Sequence, residues 1–220
     1  MSTLSRLAAC ALCIFIIGCG MMNTTPPVVG SGIAKSEDRS ISGVTKIRLS
    51  NIGTLTLKQS DKESLTVKGD DNILPLIEST VSGDTLTLRL ANNVSVQPKV
   101  GIEYIVEVKS LASLQIAGAA TANLDALDGK TLELTLAGAC KANLKGKVDS
   151  FQLSATGASS VNAADLACKK ATVSVTGATS ATVNAAESLD VNATGACTVT
   201  YLGDPTVKKS VVGASSVKKR

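Results

Sequence analysis

A short phrase, Gly-Ala followed by two small or polar residues, begins at Gly118, Gly138, Gly157, Gly177, Gly195 and Gly213, at spacings of 20, 19, 20, 18 and 18 residues. Self-similarity at a period near nineteen restricts the fold more than any other property of the chain. A unit that short cannot bury a hydrophobic face alone and must rest on copies of itself. Before the glycines, apolar residues fill alternate positions: Leu132, Leu134 and Leu136; Phe151, Leu153 and Ala155; Ala171, Val173 and Val175; Leu189, Val191 and Ala193. Polar residues such as Glu133, Thr135, Gln152, Ser154, Thr172 and Ser174 stand between them, which is the period-two pattern of a strand with one dry and one wet face. Four residues past each glycine, Ala122, Ala142, Val161, Ala181, Val199 and Val217 restart the alternation. Each unit therefore reads as strand, tight Gly-Ala corner, second strand and variable return. Glycine suits such a corner because it adopts φ > 0 without penalty. The six glycines are expected to be structural corners lined up along one axis. The chain is expected to be all-β, a right-handed parallel β-helix or β-solenoid with about 18–20 residues per coil.

Composition agrees with a thin core. Beyond residue 18 the only aromatic residues are Tyr104, Phe151 and Tyr201, and small side chains fill only a narrow space at native packing density. The chain has no histidine, which excludes Ser/His/Asp and Cys/His catalysis and removes the commonest metal ligand. The net charge of +4 arises at the end: residues 208–220 carry Lys208, Lys209, Lys218, Lys219 and Arg220, read as a solvated terminus or as a contact for anionic lipid. A basic stripe with stacking aromatics is missing, so no nucleic-acid partner is expected. In the last unit Lys209 and Lys219 occupy slots that are mostly apolar elsewhere, as suits a terminal coil with an open edge.

Residues 33–110 are less regular. "TKIRLS", "GTLTLKQ", "SLTVKGD", "DTLTLRL" and "GIEYIVEVKS" alternate as strands, and "DDNILPLIEST" interrupts them. This N-terminal β portion is expected either to enter the same solenoid or to cap it, with residues 111–220 as the repeat portion.

At the N-terminus, Arg6 precedes the apolar run "LAACALCIFIIGCG", which has the length of a signal-peptide core and is too short to span a bilayer. The run ends in Ile16-Ile17-Gly18-Cys19, which resembles the lipobox of bacterial lipoproteins. That resemblance implies cleavage after residue 18, lipidation of Cys19 and permanent attachment to a membrane. "LAAC", Leu7 to Cys10, matches as a bare string but lacks a preceding apolar run. Gly20, where an inner-membrane retention signal would place Asp, points to the outer membrane, and residues 19–32 read as a Pro- and Gly-containing tether. Of the cysteines left, Cys140 and Cys197 share a slot three units apart, roughly 14 Å at 4.8 Å per stacked strand, too far for a disulfide. They and Cys168 are expected to be small buried thiols, and none has metal-site spacing.

The chain resembles the bacterial head GIN domain family of auto-transporter adhesins over nearly all of residues 30–217. The likeness rests on Gly30-Ser31-Gly32 with Arg39 and Gly43, on "DDNILPLIESTVSGDTLTL" from Asp70 to Leu88, on the glycine corners, and on "YLGDP" from Tyr201 to Pro205. It implies a right-handed β-helical fold, export, frequent lipidation and an adhesin role. The family's corners usually read Gly-Ser-Gly-Asp. Here the last two positions are Ala120-Thr121, Cys140-Lys141, Ser159-Ser160, Thr179-Ser180, Cys197-Thr198 and Ser215-Ser216, so the acidic ladder that could hold Ca²⁺ is missing and no metal or other cofactor is expected.

Three functional readings follow. The first is a non-catalytic, lipid-anchored envelope protein that binds an envelope or matrix component through a rigid body. The second is a polysaccharide-active β-helix enzyme, which requires two convergent carboxylates. Asp125, Asp128, Glu133, Asp149, Asp165, Glu187, Asp190 and Asp204 show no recurrent pair, and no catalytic residue is assigned. The third is a purely structural or ice-like surface of stacked Thr156, Thr176 and Thr194, a row broken by Ala117, Ala137 and Val212.

Overall fold

The structure is a computed structural model that describes residues 26–220, so Cys19 and the leader lie outside the described residues. The chain runs through β1 (Val28–Val29), β2 (Ala34–Arg39), β3 (Lys46–Gln59), β4 (Ser64–Asp70), β5 (Ile77–Ser82), β6 (Thr85–Leu90), β7 (Val96–Gln97) and β8 (Glu103–Val108). The repeats follow as β9 (Ser113–Gly138), β10 (Lys141–Gly157), β11 (Ser160–Gly177), β12 (Ser180–Gly195), β13 (Thr198–Leu202), β14 (Thr206–Gly213) and β15 (Ser216–Lys219).

In the repeat portion, every neighbouring pair is parallel and in the register expected from the glycine alignment. Phe151 lies between Leu132 and Ala171, and Leu153 between Leu134 and Val173; Val173 in turn pairs with Val191. These columns are buried, with Leu134, Leu153, Val173 and Val191 all at 0% exposure. Ala122, Ala142, Val161, Ala181 and Val199 form the matching column beyond the corner. The molecule is a β-solenoid whose core is a stack of similar narrow layers. The small side chains that look featureless in the sequence are those that fit at a coil spacing of about 4.8 Å.

The N-terminal portion both enters the solenoid and caps it, in an order that differs from the sequence. β3 pairs in parallel with β6 and β8 on one side, Ile47 opposite Leu86 and Leu55 opposite Tyr104. On its other side it pairs in parallel with β9, Ile47 opposite Leu114 and Leu55 opposite Ala122. The coil of residues 46–59 thus sits between a coil made later in the chain and the first repeat. Beyond that outermost coil the pairing becomes antiparallel: β4 lies on β8, β2 on β4, and β5 on β6. A 3-10 turn at Leu74–Leu76 helps close this end, and Leu65, Val67, Ile73, Leu74, Ile77 and Tyr104 are buried there. Arg39 ties the cap together by donating to the carbonyls of Leu74 (3.0 Å) and Ile77 (2.6 Å) and to Ser79 Oγ.

At the opposite end, β14 and β15 form the last coil and are mostly exposed. Lys209 lies in register with Val191, and Lys219 with Tyr201. Two core columns therefore end in lysines, which would have to be dehydrated if a further strand were laid on them.

Candidate functional site

The corners are built from backbone. At Gly138, Gly157, Gly177, Gly195 and Gly213, a Cβ would stand 2.4–2.6 Å from the carbonyl oxygen of the glycine one coil earlier, and all six corner glycines have φ between +84° and +116°. That oxygen is occupied. It accepts the N–H of the following coil's alanine, for example Ala158 N to Gly138 O at 3.0 Å and Ala178 N to Gly157 O at 2.9 Å. It also accepts from a side chain two residues past the corner: Ser159 Oγ to Gly138 O at 3.1 Å, Thr179 Oγ1 to Gly157 O at 3.4 Å, Ser215 Oγ to Gly195 O at 3.0 Å.

The same contact explains two of the cysteines. Cys140 Sγ donates to Gly118 O at 3.5 Å and Cys197 Sγ to Gly177 O at 3.4 Å. In this slot Cys, Ser and Thr are interchangeable as small buried groups with one donor hydrogen. Cys168 lies elsewhere in the coil, 3.1 Å from the carbonyl of Asn184, and burial pushes its thiol pKa up to about 11. All three thiols are free and buried.

Most carboxylates of the repeats face lysines, for the most part on adjacent coils. Lys145 pairs with Asp125 at 3.9 Å and is in register with Asp165; Asp125 is in register with Lys58, and Lys58 with Glu107. A column Glu107, Lys58, Asp125, Lys145, Asp165 therefore alternates in sign from coil to coil. A second column has Lys169 2.7 Å from Asp149, with Lys130 near Asp149 and Glu187 near Lys169. Lys169 hydrogen-bonds Asp149 and holds its pKa below the usual carboxylate range. Such exposed pairs add little stability each, but a slip of one coil would set like charges against each other. Among the described residues no cluster of three or more metal-ligating side chains exists.

Two grooves mark the outer faces. One, of about 390 Å³, is lined by Thr56, Asn123, Asn143, Asn162, Asp125 and Lys145. Within it Asn143 donates to Asn123 Oδ1 at 2.8 Å, so amides from successive coils form a row. The other, of about 600 Å³, has Val148 and Cys168 in its lining and Lys130, Lys147 and Lys169 among its charged residues, beside Asp128 and Asp149.

The most elaborate polar site is at the capped end, where it joins Gly30-Ser31-Gly32 to Asp70, two stretches that carry the family resemblance but whose contact the alternation pattern does not show. Asp70 is completely buried. Its Oδ1 accepts the N–H of Gly32 at 2.7 Å, and its Oδ2 accepts those of Lys99 and Val100 at 3.0 Å each. Burial pushes the carboxyl pKa up, and the N–H groups of Gly32, Val100 and Lys99 outweigh that effect, leaving it below the ordinary value. A Cβ on Gly30 would lie 2.4 Å from this carboxylate, so the strand can pass only with glycine there. Ser31 N donates to Asn72 Oδ1 at 2.9 Å, Asn72 Nδ2 donates to Val29 O at 2.9 Å, and Ser31 Oγ bonds Asp71. Residues 28–32, read from the sequence as tether, are thus fastened to the body, because backbone N–H groups satisfy a carboxylate that the sequence shows only as one acid among eighteen.

The described residues form a β-solenoid capped at one end, with grooves lined by polar residues on its outer faces. The chain belongs to the family described as "Putative auto-transporter adhesin, head GIN domain", whose profile matches residues 43–205. It is similar to the crystal structure of a "putative adhesin" from Bacteroides fragilis NCTC 9343, with a TM-score of 0.69 and 22% identity, covering 88% of this chain and 100% of that one. It is also similar to a "putative lipid binding protein" from Parabacteroides distasonis ATCC 8503 (TM-score 0.56, 21% identity, 89% and 100% covered). A third similar structure is a "putative adhesin" from Parabacteroides merdae ATCC 43184 (TM-score 0.56, 16% identity, 89% and 100% covered). No curated protein sequence matches the chain.

Proposed function

We propose that the protein is a non-catalytic adhesin-type module of the bacterial envelope, exported and held at the outer membrane through lipid on Cys19, which binds an envelope or matrix polymer along the outer faces of its coils. The observation that carries this reading is the use made of the polar residues. Asp125, Asp128, Asp149 and Asp204 are each paired with a lysine, whereas the amides of Asn123, Asn143 and Asn162 line an open groove. Amides both donate and accept, which suits recognition of a hydroxyl- or amide-bearing chain without chemical change.

The test is co-sedimentation of the full chain with isolated matrix polysaccharide and matrix protein, with new reducing ends assayed in the same tubes. Saturable binding without cleavage is expected. Cleavage that disappears on replacing a single carboxylate would make the protein a polysaccharide-active enzyme instead. Radiolabelled palmitate should enter the wild-type chain and not Cys19→Ser.

A further inference from the structure

The large apolar side chains left exposed among the described residues are few: Val28 (37%), Val29 (51%) and Ile33 (62%) before the cap, Val81 within it, and Val211 and Val212 on the last coil. The last two belong to a coil that also carries Lys208, Lys209, Lys218 and Lys219, the charges expected of a protected edge. The strap before the cap is different. Residues 26–34, Pro-Pro-Val-Val-Gly-Ser-Gly-Ile-Ala, contain no charged group.

The strap's backbone is well satisfied. Val28 N donates to Ser95 O (2.8 Å), Gly30 N to Gln97 O (2.9 Å), Ser31 N to Asn72, and Gly32 N to Asp70, while Val29 O accepts from Asn72 and Ile33 O from Asp71 N at 3.0 Å. A segment whose N–H and C=O groups are already bonded loses little on leaving water, whereas an unbonded one is penalised at every residue. The clamp also prevents Val28, Val29 and Ile33 from folding inward. What the strap offers its surroundings is a rigid, uncharged, apolar edge.

We propose that this strap is a membrane-docking edge, with Val28, Val29 and Ile33 seated in the lipid interface so that the solenoid stands capped end down and last coil outward. The inference rests on the lipid-anchored reading of Cys19. Val28 is nine residues from Cys19, so in an acylated protein the strap stays within about 30 Å of the bilayer surface. Small apolar contacts that would not hold a free protein on a membrane operate there at high effective concentration.

The chain has no tryptophan, so an introduced one reports alone. The full chain, purified from membranes with its lipid, is reconstituted into phosphatidylethanolamine/phosphatidylglycerol vesicles with or without brominated acyl chains. Tryptophan is placed singly as Val29→Trp, Ile33→Trp or Val212→Trp, and flotation with the vesicles is scored in each sample. Val29→Trp and Ile33→Trp are expected to shift to the blue and to lose at least half their emission to the brominated lipid, with Val212→Trp unchanged. Two variants guard against local misfolding of either one. Flotation with equal, weak quenching at all three positions overturns the docking edge while leaving the anchor standing. A chain that does not float overturns both. Quenching that requires high protein density and is accompanied by crosslinked dimers overturns the proposal in favour of a second copy covering the strap.

Discussion

Substituting Gly177 by alanine tests the corner geometry most directly. Its φ is +101°, and a Cβ there would lie 2.5 Å from the carbonyl oxygen of Gly157, where contact without displacement is impossible. That oxygen cannot move away freely, because it accepts Ala178 N at 2.9 Å and Thr179 Oγ1 at 3.4 Å. Backbone strain of about 1–3 kcal/mol, together with about 1 kcal/mol for a weakened ladder bond, gives a loss of about 2–4 kcal/mol. Against a typical domain stability of about 5–15 kcal/mol, that is a substantial fraction. Gly129→Ala supplies the control: it lies in β9, has no positive φ, and an added Cβ would meet nothing within 4 Å. That change should shift stability by no more than about 1 kcal/mol, in either direction. Urea unfolding followed by far-ultraviolet circular dichroism measures both. Midpoints for Gly177→Ala and Gly129→Ala that coincide would refute the argument that the corners stack backbone on backbone. Gly213→Ala should fall between them, since among the described residues no coil lies on the last one and it can shift.

Further outcomes are expected at Asp70, at Lys145 and at the buried thiols. Asp70→Asn at neutral pH should release the strap, seen as rapid protease cleavage near residues 28–33 with the repeats intact. Because Asp70 has a pKa below its ordinary value of 3.8, wild type should keep the strap fastened above that pH and lose it as the pH falls below, with Asp70→Asn insensitive over the same range. Lys145→Glu, which sets three acids in succession with Asp125 and Asp165, should lower the urea midpoint slightly, by less than about 1 kcal/mol, and added salt should shrink the difference. The thiols of Cys140, Cys168 and Cys197 should resist alkylation at pH 8 until the chain unfolds, Cys168 because its pKa is about 11 as well as because it is buried. Cys140→Ser should be close to neutral and Cys140→Leu strongly destabilising, as read from thermal melts, because the slot takes a small donor facing Gly118 O.

The repeat portion is legible in the sequence because the same steric problem is solved six times in one hundred residues, so that Leu134, Leu153, Val173 and Val191 align by their distance from the glycines alone. The charge columns are present in the same spacing, with Asp125, Lys145 and Asp165 each twenty residues apart, and emerge from an alignment of the wet slots as readily as of the dry ones. The order of the first coils is not legible. Strands β3, β6 and β8 share the same alternation, and nothing in that alternation states that β3 lies between the coil of β6 and β8 and the first repeat. Asp70 is hidden for a different reason: its partners are backbone N–H groups 29, 30 and 38 residues away, and a backbone donor carries no residue-type signature.

The interposed coil has a consequence for how the chain must acquire its shape. Lys46–Gln59 emerges before either parallel neighbour, and its second neighbour is complete only when residue 125 has arrived. Vectorial growth, one rung settling on the last, is therefore impossible in the first half of the chain. One flank of that segment stays open until β6 and β8 have emerged, by residue 108, and the other until residue 125, some sixty residues after the segment ends, so its pairing is delayed and non-local. Once the sandwich closes it forms a finished platform, and the remaining rungs can be laid on it in the order in which they were synthesised.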